Sequence, residues 1–233
     1  MMQKIYPINS YVSAPSSKKR VFAAVKRLFD ICMSLGMMIV LLPVCLVVAV
    51  IVAIDTKSTP LFIQTRVGRG NRPFRMLKFR TMSPKTPQNV ATYLLKDVDR
   101  YISRTGRLVR KLSLDELPQL WNIFKGDMSF VGPRPVVLTE TELLSLRTSN
   151  GASEVRPGLT GWAQVNGRDE VGIHEKAALD GYYASNISFK MDMRVLFTTV
   201  GYVLHSRGIA EGANPQIASE TYQIGRASCR ERV

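Results

Sequence analysis

Between Ile31 and Ile54 the chain carries 24 consecutive residues without a charge, ICMSLGMMIVLLPVCLVVAVIVAI. As a straight helix this run measures about 36 Å, enough to cross the hydrocarbon of a bilayer. It fits a secretory signal poorly, because it is longer than the usual apolar region and no small-residue cleavage site follows. Two features oppose a simple crossing. Lys18, Lys19, Arg20, Lys26 and Arg27 precede the run, and Lys57, Arg66, Arg69, Arg72, Arg75, Lys78 and Arg80 follow it. Basic flanks favour the cytoplasmic side, so a single crossing strands one set. Pro43 then stands in the middle, with 12 apolar-run residues before it and 11 after. Each arm is about 16–18 Å long and reaches roughly the bilayer centre. Proline removes an i→i−4 hydrogen bond and kinks a helix. The expected structure is a re-entrant helical hairpin bent at Pro43; the alternative is a tilted, kinked span with a short external N-terminus. Asp30, at the edge of the run, is expected to pair with Lys26 or Arg27 at the membrane boundary.

The charge outside this run narrows the partners. The chain has 32 Lys+Arg against 18 Asp+Glu, a formal charge of +14, with 45% hydrophobic residues. A chain this apolar folds rather than staying disordered. Three cysteines, Cys32, Cys45 and Cys229, two of them inside the apolar run, exclude a disulfide scaffold. Residues 1–80 hold 13 of the basic residues and only Asp30 and Asp55 on the acidic side. Such an excess suits nucleic acid, an anionic membrane or a phosphorylated substrate. The basic residues flank an apolar run and show no helix-turn-helix, zinc-finger or RNA-recognition pattern, so a nucleic-acid partner is not expected. Anionic headgroups on the cytoplasmic face are.

The fold class read from the chain is α+β, predominantly helical. Residues 1–20 read as a loose tail, 21–56 as the membrane helix, 57–209 as a globular domain at the membrane surface, and 210–233 as a C-terminal tail. The last nine residues, GRASCRERV, change character and are set aside as a divergent or appended tail. LFIQTRV and PFRMLKF around GRGNR spell a short β-hairpin. Gly68 and Gly70 there are turn residues rather than a phosphate loop. Residues 83–92 read as a loop. Helical patterns cover 93–104, 114–125, 174–184 and 189–205. In the last, Phe189, Met193, Leu196, Phe197, Val200 and Leu204 line one side, fit for a membrane surface or a core. VGPRP (131–135) and RPGLTGWAQVNGR (156–168) read as ordered Pro/Gly loops.

The densest chemistry lies in TGRLVRKLSLDELPQLWNIFKGDMSFVGPRP, residues 105–135. Ser113 and Glu116 form a capping-box pattern that would open a helix with Asp115 and Glu116 in its first turn. Adjacent acids there can simply complement the helix dipole. They can also hold Mg²⁺, and an aspartate with a stabilised anion can attack phosphorus. Lys78, Arg80, Arg107, Arg110, Lys111 and Arg134 supply cations that could clamp phosphate oxygens. Other features are weaker. Asp97 and Asp99 form a D-x-D pattern that fits a solvated helix face. His174 and His205 are isolated and make no zinc spacing. Trp121 and Trp162 read as core or interfacial anchors. Arg168 and Asp169 close a loop that could contact a nucleotide or pair with each other.

KRLFD (26–30), KFRTM (78–82), RKLSLDELPQLWNIFKGDMSFVGPRP (110–135) and RPGLTGWAQVNGR (156–168) together resemble the monotopic phosphoglycosyl transferases, bacterial sugar transferases that start polyprenyl-linked glycan assembly. The resemblance runs from about residue 21 to 209. It implies transfer of a phosphosugar from a UDP-sugar to a polyprenyl phosphate, undecaprenyl phosphate being the expected acceptor, with release of UMP. It implies Asp115 as nucleophile, Glu116 assisting, and the pair holding Mg²⁺; from the charge distribution, Lys78, Arg80, Arg110 and Arg134 are expected to face the substrate phosphates. The Pro-Arg-Pro motif falls on Pro133, Arg134 and Pro135, and the re-entrant helix, with Asp30 and Pro43, on residues 28–54. The implied location is the cytoplasmic face of the bacterial inner membrane. One departure stands out: the family commonly breaks that helix at Ser-Pro, and here Leu42, which cannot satisfy a freed carbonyl, precedes Pro43. A transferase of the whole sugar, releasing UDP, is the alternative enzyme. The residues name neither the sugar nor an oligomeric state.

Overall fold

A computed structural model describes residues 17–84, 86, 101–167 and 171–204. Helix α1 (Ser17–Thr56) opens the chain, and its first turn lies inside the stretch read as tail. Among the described residues it is the one helix long and apolar enough to cross a membrane. The helix continues through Pro43 without interruption, so the expected break is absent from its secondary structure. Proline at 43 leaves the Ile39 carbonyl without its i→i−4 partner and crowds it, and the helix runs on past it between Leu41, Leu42 and Leu46, good helix formers.

The two short strands appear as read. β1 (Leu61–Val67) and β2 (Pro73–Phe79) pair antiparallel, Leu61 opposite Phe79 and Val67 opposite Pro73. The turn between them is a single 3-10 turn at Arg69–Asn71. Helix α2 (Arg104–Lys111) begins where the sequence expects a helix to end; residues 93–100, with Asp97 and Asp99, lie outside the described residues. Its N-terminus is capped by Ser103, whose hydroxyl accepts from the Gly106 N–H at 2.8 Å. A 3-10 turn at Leu114–Glu116 leads into α3 (Gln119–Lys125).

The two Pro/Gly stretches are more regular than expected. Each contains a three-residue strand, β3 (Ser129–Val131) and β4 (Gly158–Thr160), and the two pair in parallel. The second also holds a short helix, α5 (Trp162–Val165). Gly132 is required beside them, because any Cβ there would overlap the Arg156 carbonyl. Helices α4 (Thr141–Ser149), α6 (Ile173–Ser185) and α7 (Phe189–Leu204) complete the domain.

The main core gathers Met76 of β2, Leu120 and Ile123 of α3, Phe130 and Val131 of β3, Tyr183 of α6 and Val195 of α7. Phe29, Met37, Met38 and Leu41 of α1 pack onto it. A second cluster joins Val48 and Val52 of α1 to Phe79 and Val109, with Leu114 and Leu117 against it. In α7 the buried face carries Val195 and Asp192, while Phe189, Phe197 and Val200 are exposed. The apolar side read from the sequence is therefore divided: Leu196 packs on the core, while Phe189, Phe197 and Val200 face outward. Trp121, Leu108 and Leu112 are exposed as well.

Asp30 departs from expectation. Its carboxylate accepts from the Ser129 hydroxyl at 3.1 Å and the Phe130 N–H at 3.2 Å, buried in the domain. Lys26 instead pairs with Asp192 at 2.6 Å. Arg27 donates to the Ile123 and Phe124 carbonyls at 2.6 and 2.7 Å, the unpaired end of α3. At the other end of α1, Asp55 accepts a hydrogen bond from Ser103. Neighbouring charge alone suggested the pair; the strand that receives Asp30 lies about 100 residues away.

Candidate active site

The site is built on the free edge of β2. Asn122, in the middle of α3, accepts from the Leu77 N–H at 3.0 Å and donates to the Arg75 carbonyl at 2.8 Å, replacing a missing neighbour strand. This docks α3 and the turn before it against Lys78. Gly126 ends α3 in the left-handed region (φ 103), where a side chain would be strained and would also meet Arg27.

The expected capping box does not form. Ser113 is itself left-handed (φ 55) and its side chain caps nothing. The chain leaves α2 through Ser113 into i→i+3 bonding, with the Glu116 N–H reaching the Ser113 carbonyl and the Leu117 N–H reaching Leu114. Pro118 (φ −62) fits the next position, since no N–H is needed there. A 3-10 turn repeats every three residues, so Leu114 and Leu117 share one side and enter the core. Asp115 and Glu116, between them, turn to the cations.

Adjacent in sequence, the two acids sit in opposite environments. Glu116 Oε1 accepts from Lys78 Nζ at 3.0 Å and Arg134 Nη2 at 2.9 Å. Burial would raise its pKa, but those two cations outweigh it and hold the carboxyl well below the usual range. Asp115 is only 8% exposed, and no hydrogen bond to its carboxylate occurs among the described residues. Burial, reinforced by Glu116, pushes its pKa up to about 6 against the pull of Lys78, Arg110 and Arg134. Its anion is therefore destabilised by its surroundings, not stabilised by a helix start as the sequence suggested.

Arg134 is fixed from behind. The Gly132 N–H bonds the Thr160 carbonyl, the Gly158 N–H the Pro133 carbonyl, and the Val67 N–H the Val136 carbonyl, each at 2.9 Å. Pro133 and Pro135 are buried and bring no N–H to satisfy. Arg147 of α4 donates to the Arg134 carbonyl at 3.0 Å while its Nε and Nη2 hold Asp180 of α6 at 2.9 and 2.6 Å, a fully buried pair.

A buried carboxylate thus stands beside one held by two cations, one of them from the Pro-Arg-Pro loop. The family model for bacterial sugar transferases matches residues 21–206. The chain belongs to the bacterial sugar transferase family. It is 42% identical over 188 residues to the uncharacterized sugar transferase EpsL of Bacillus subtilis, covering 80% of this chain and 90% of that one. It is 36% identical to the UDP-N-acetylgalactosamine-undecaprenyl-phosphate N-acetylgalactosaminephosphotransferase of Aeromonas hydrophila, covering 81% of this chain and 45% of that one. It is 35% identical to the UDP-glucose:undecaprenyl-phosphate glucose-1-phosphate transferase of Caulobacter vibrioides, covering 77% and 69%. The chain thus spans less than half of the Aeromonas relative.

In this sugar transferase Lys78, Asp115, Glu116 and Arg134 meet as the sequence expects. Arg110 lies within electrostatic reach of Asp115, its Nε bonded to the Thr81 hydroxyl at 3.0 Å. Arg80 turns elsewhere, bonding the Thr59 carbonyl at 3.1 Å and lying 5.5 Å over the Phe62 ring. Arg168, Asp169 and His205 lie outside the described residues; His174 is an exposed partner of Glu142. Asn122, Arg147 and Asp180, which brace the site, are not singled out by the sequence, which groups Arg66 with the basic flank. Arg66 could have been found, since Gln64 and Arg66 share one face of β1 by strand alternation. The others act through contacts tens of residues apart.

Proposed function

We propose that this transferase moves a phosphosugar from a UDP-sugar to a polyprenyl phosphate through a covalent intermediate on Asp115. The observation that carries this reading is the asymmetry of the dyad: Glu116 is neutralised by Lys78 and Arg134, while Asp115 is buried without a hydrogen-bond partner among the described residues. A desolvated carboxylate is a better nucleophile than a solvated one, and an anionic substrate is drawn in by the surrounding cations. An Asp115 oxygen attacks the sugar-bearing phosphorus, and the bond to the UMP oxygen breaks. An oxygen of polyprenyl phosphate then attacks the same phosphorus, and the bond to Asp115 breaks. Lys78, Arg110 and Arg134 stand where they can meet the phosphate oxygens as charge shifts between bridging and leaving atoms.

The donor chemistry also fits Mg²⁺. That ion takes one or two carboxylates together with phosphate oxygens and water. Asp115 has oxygens to offer, whereas Glu116 Oε1 is already taken by two cations, so Asp115 is the better ligand of the two. Bound there, Mg²⁺ would offset diphosphate charge.

Attachment of α1 to one face of the membrane, without the bend at Pro43 that the sequence suggested, is part of the proposal. Lys26, Arg27 and Asp30 at one end and Asp55 at the other all bond the same domain. A helix crossing the bilayer would hold those ends on opposite faces. The exposed Phe189, Phe197, Val200 and Trp121 suit the same membrane surface, and the exposed Arg69, Arg72 and Arg75 its anionic headgroups.

The test is a nucleotide-release assay with undecaprenyl phosphate across UDP-glucose, UDP-galactose and UDP-N-acetylhexosamines. UMP is the expected product, and UDP would replace the proposal with whole-sugar transfer. Mass spectrometry after mixing with donor alone should find a phosphosugar adduct on Asp115. An impermeant maleimide should reach cysteines placed at residues 21 and 57 from one face of a vesicle.

A further inference from the structure

We infer that Arg66 and Arg134 form a two-guanidinium clamp for the diphosphate of the nucleotide-sugar donor, a role that rests on the proposed function and adds Arg66 to its site. The sequence grouped Arg66 with the basic flank of the membrane helix. The fold separates it from that group, because Arg69, Arg72 and Arg75 are exposed and Arg66 is half-buried. It stands at the penultimate position of β1. There the Val67 N–H staples the strand to the Val136 carbonyl at 2.9 Å, so Arg66 runs alongside the Pro133–Val136 segment. Its Nη1 lies 3.5 Å from the Pro135 carbonyl, one residue beyond Arg134.

The partners of Arg66 are all neutral. Its Nε and Nη2 both donate to Gln64 Oε1, at 3.1 and 2.7 Å. Among the described residues no carboxylate forms an ion pair with it. Gln64 fixes one edge of the guanidinium and leaves the end-on Nη1/Nη2 edge facing the loop. A partly buried cation without a carboxylate is costly, and a second guanidinium nearby raises that cost. Burial first, then Arg134, lowers its pKa to about 10, which still leaves it charged at neutral pH. Glu116 and Glu140 act on it from a distance; Glu116 is engaged by Lys78 and Arg134, and Glu140 accepts from the Val137 N–H at 3.2 Å. What such a pair lacks is a polyanion with several oxygens, and planar guanidinium forks match tetrahedral phosphate. Its place within electrostatic reach of Arg134 and Glu116 favours the donor's diphosphate over a lipid headgroup.

The test is UDP binding to the full chain in lipid nanodiscs, with EDTA present so that no metal contributes. Arg66→Gln should weaken UDP about tenfold, and Arg66→Lys, which keeps the charge and loses the fork, should fall between it and wild type. Adhesion to phosphatidylglycerol vesicles should not change. Should Arg66→Gln fail to fold, Arg66→Lys carries the test with an expected loss of about threefold. UDP affinity within twofold of wild type in both variants, with Arg134→Ala weakened, overturns the clamp and leaves the proposed function standing. A loss confined to vesicle adhesion or to polyprenyl phosphate binding also overturns it. Wild-type protein that binds no UDP either in EDTA or with Mg²⁺ supplied overturns clamp and proposed function together.

Discussion

Two buried charge clusters lie on either side of Arg134, and they are built on opposite plans. Behind it, Arg147 and Asp180 satisfy each other through two hydrogen bonds, with the Arg134 carbonyl taking a third. In front, Asp115 has no hydrogen-bond partner and Arg66 no carboxylate among the described residues, while Glu116 takes two cations on one oxygen. The first cluster is complete without a ligand and holds the loop still. The second, in the proposed function, is completed by the charge of the donor. Satisfied polar groups rigidify a fold, and unsatisfied ones keep free energy that binding can release.

The widest break in this comparison is Asp115→Asn, which should cut turnover by about 10⁴-fold or more. The same variant should be more stable than wild type at pH 7. A carboxyl raised from 3.8 to about 6 in the fold contributes stability below pH 4 and loses it as pH rises through 6, so removing its charge relieves about 1–3 kcal/mol. A melting temperature that falls would contradict the assigned environment. Next comes Arg147→Met. Leaving Asp180 buried without its cation should cost about 3–5 kcal/mol in denaturant titration, and the loss should be larger than for Arg134→Ala. Smaller again is the pH response of the first half-reaction. UMP release in a single turnover should rise about tenfold per unit at low pH and level off above about 6, as Asp115 ionises. A profile that levels off near pH 4 would mean that solvent or Mg²⁺ stabilises the Asp115 anion in the working enzyme. The smallest change is Ser113→Gly, within about 1 kcal/mol of wild type and on the stabilising side, because a left-handed serine that caps nothing gives up only strain. A clear loss would restore the capping box.

Much of this could be read from residues alone where the determinants are local. The β1–β2 hairpin, α6 and α7 follow from alternation and helical periodicity, and Lys78, Asp115, Glu116 and Arg134 stand in motifs that meet in space. Local patterns misled wherever a distant partner decided. Ser113 and Glu116 match a capping box, yet Ser113 is left-handed and its side chain caps nothing. β3 and β4 are too short to announce themselves and exist only because they find each other across 29 residues. Asp30 has two basic neighbours one turn away, yet bonds a strand near residue 130.

Arg27 and Asp30 carry a consequence for anyone who would handle this enzyme without lipid. α1 is a wall of the catalytic domain as well as its mooring: Phe29 lies edge-on to Phe130, Val48 and Val52 close the cluster behind the dyad, and Arg27 clasps the far end of the helix that Asp115 and Glu116 introduce. Trimming the chain at residue 56 to obtain a soluble fragment would open two cores at once and strand the carbonyls of Ile123 and Phe124. The soluble half of this protein is not a half that stands alone.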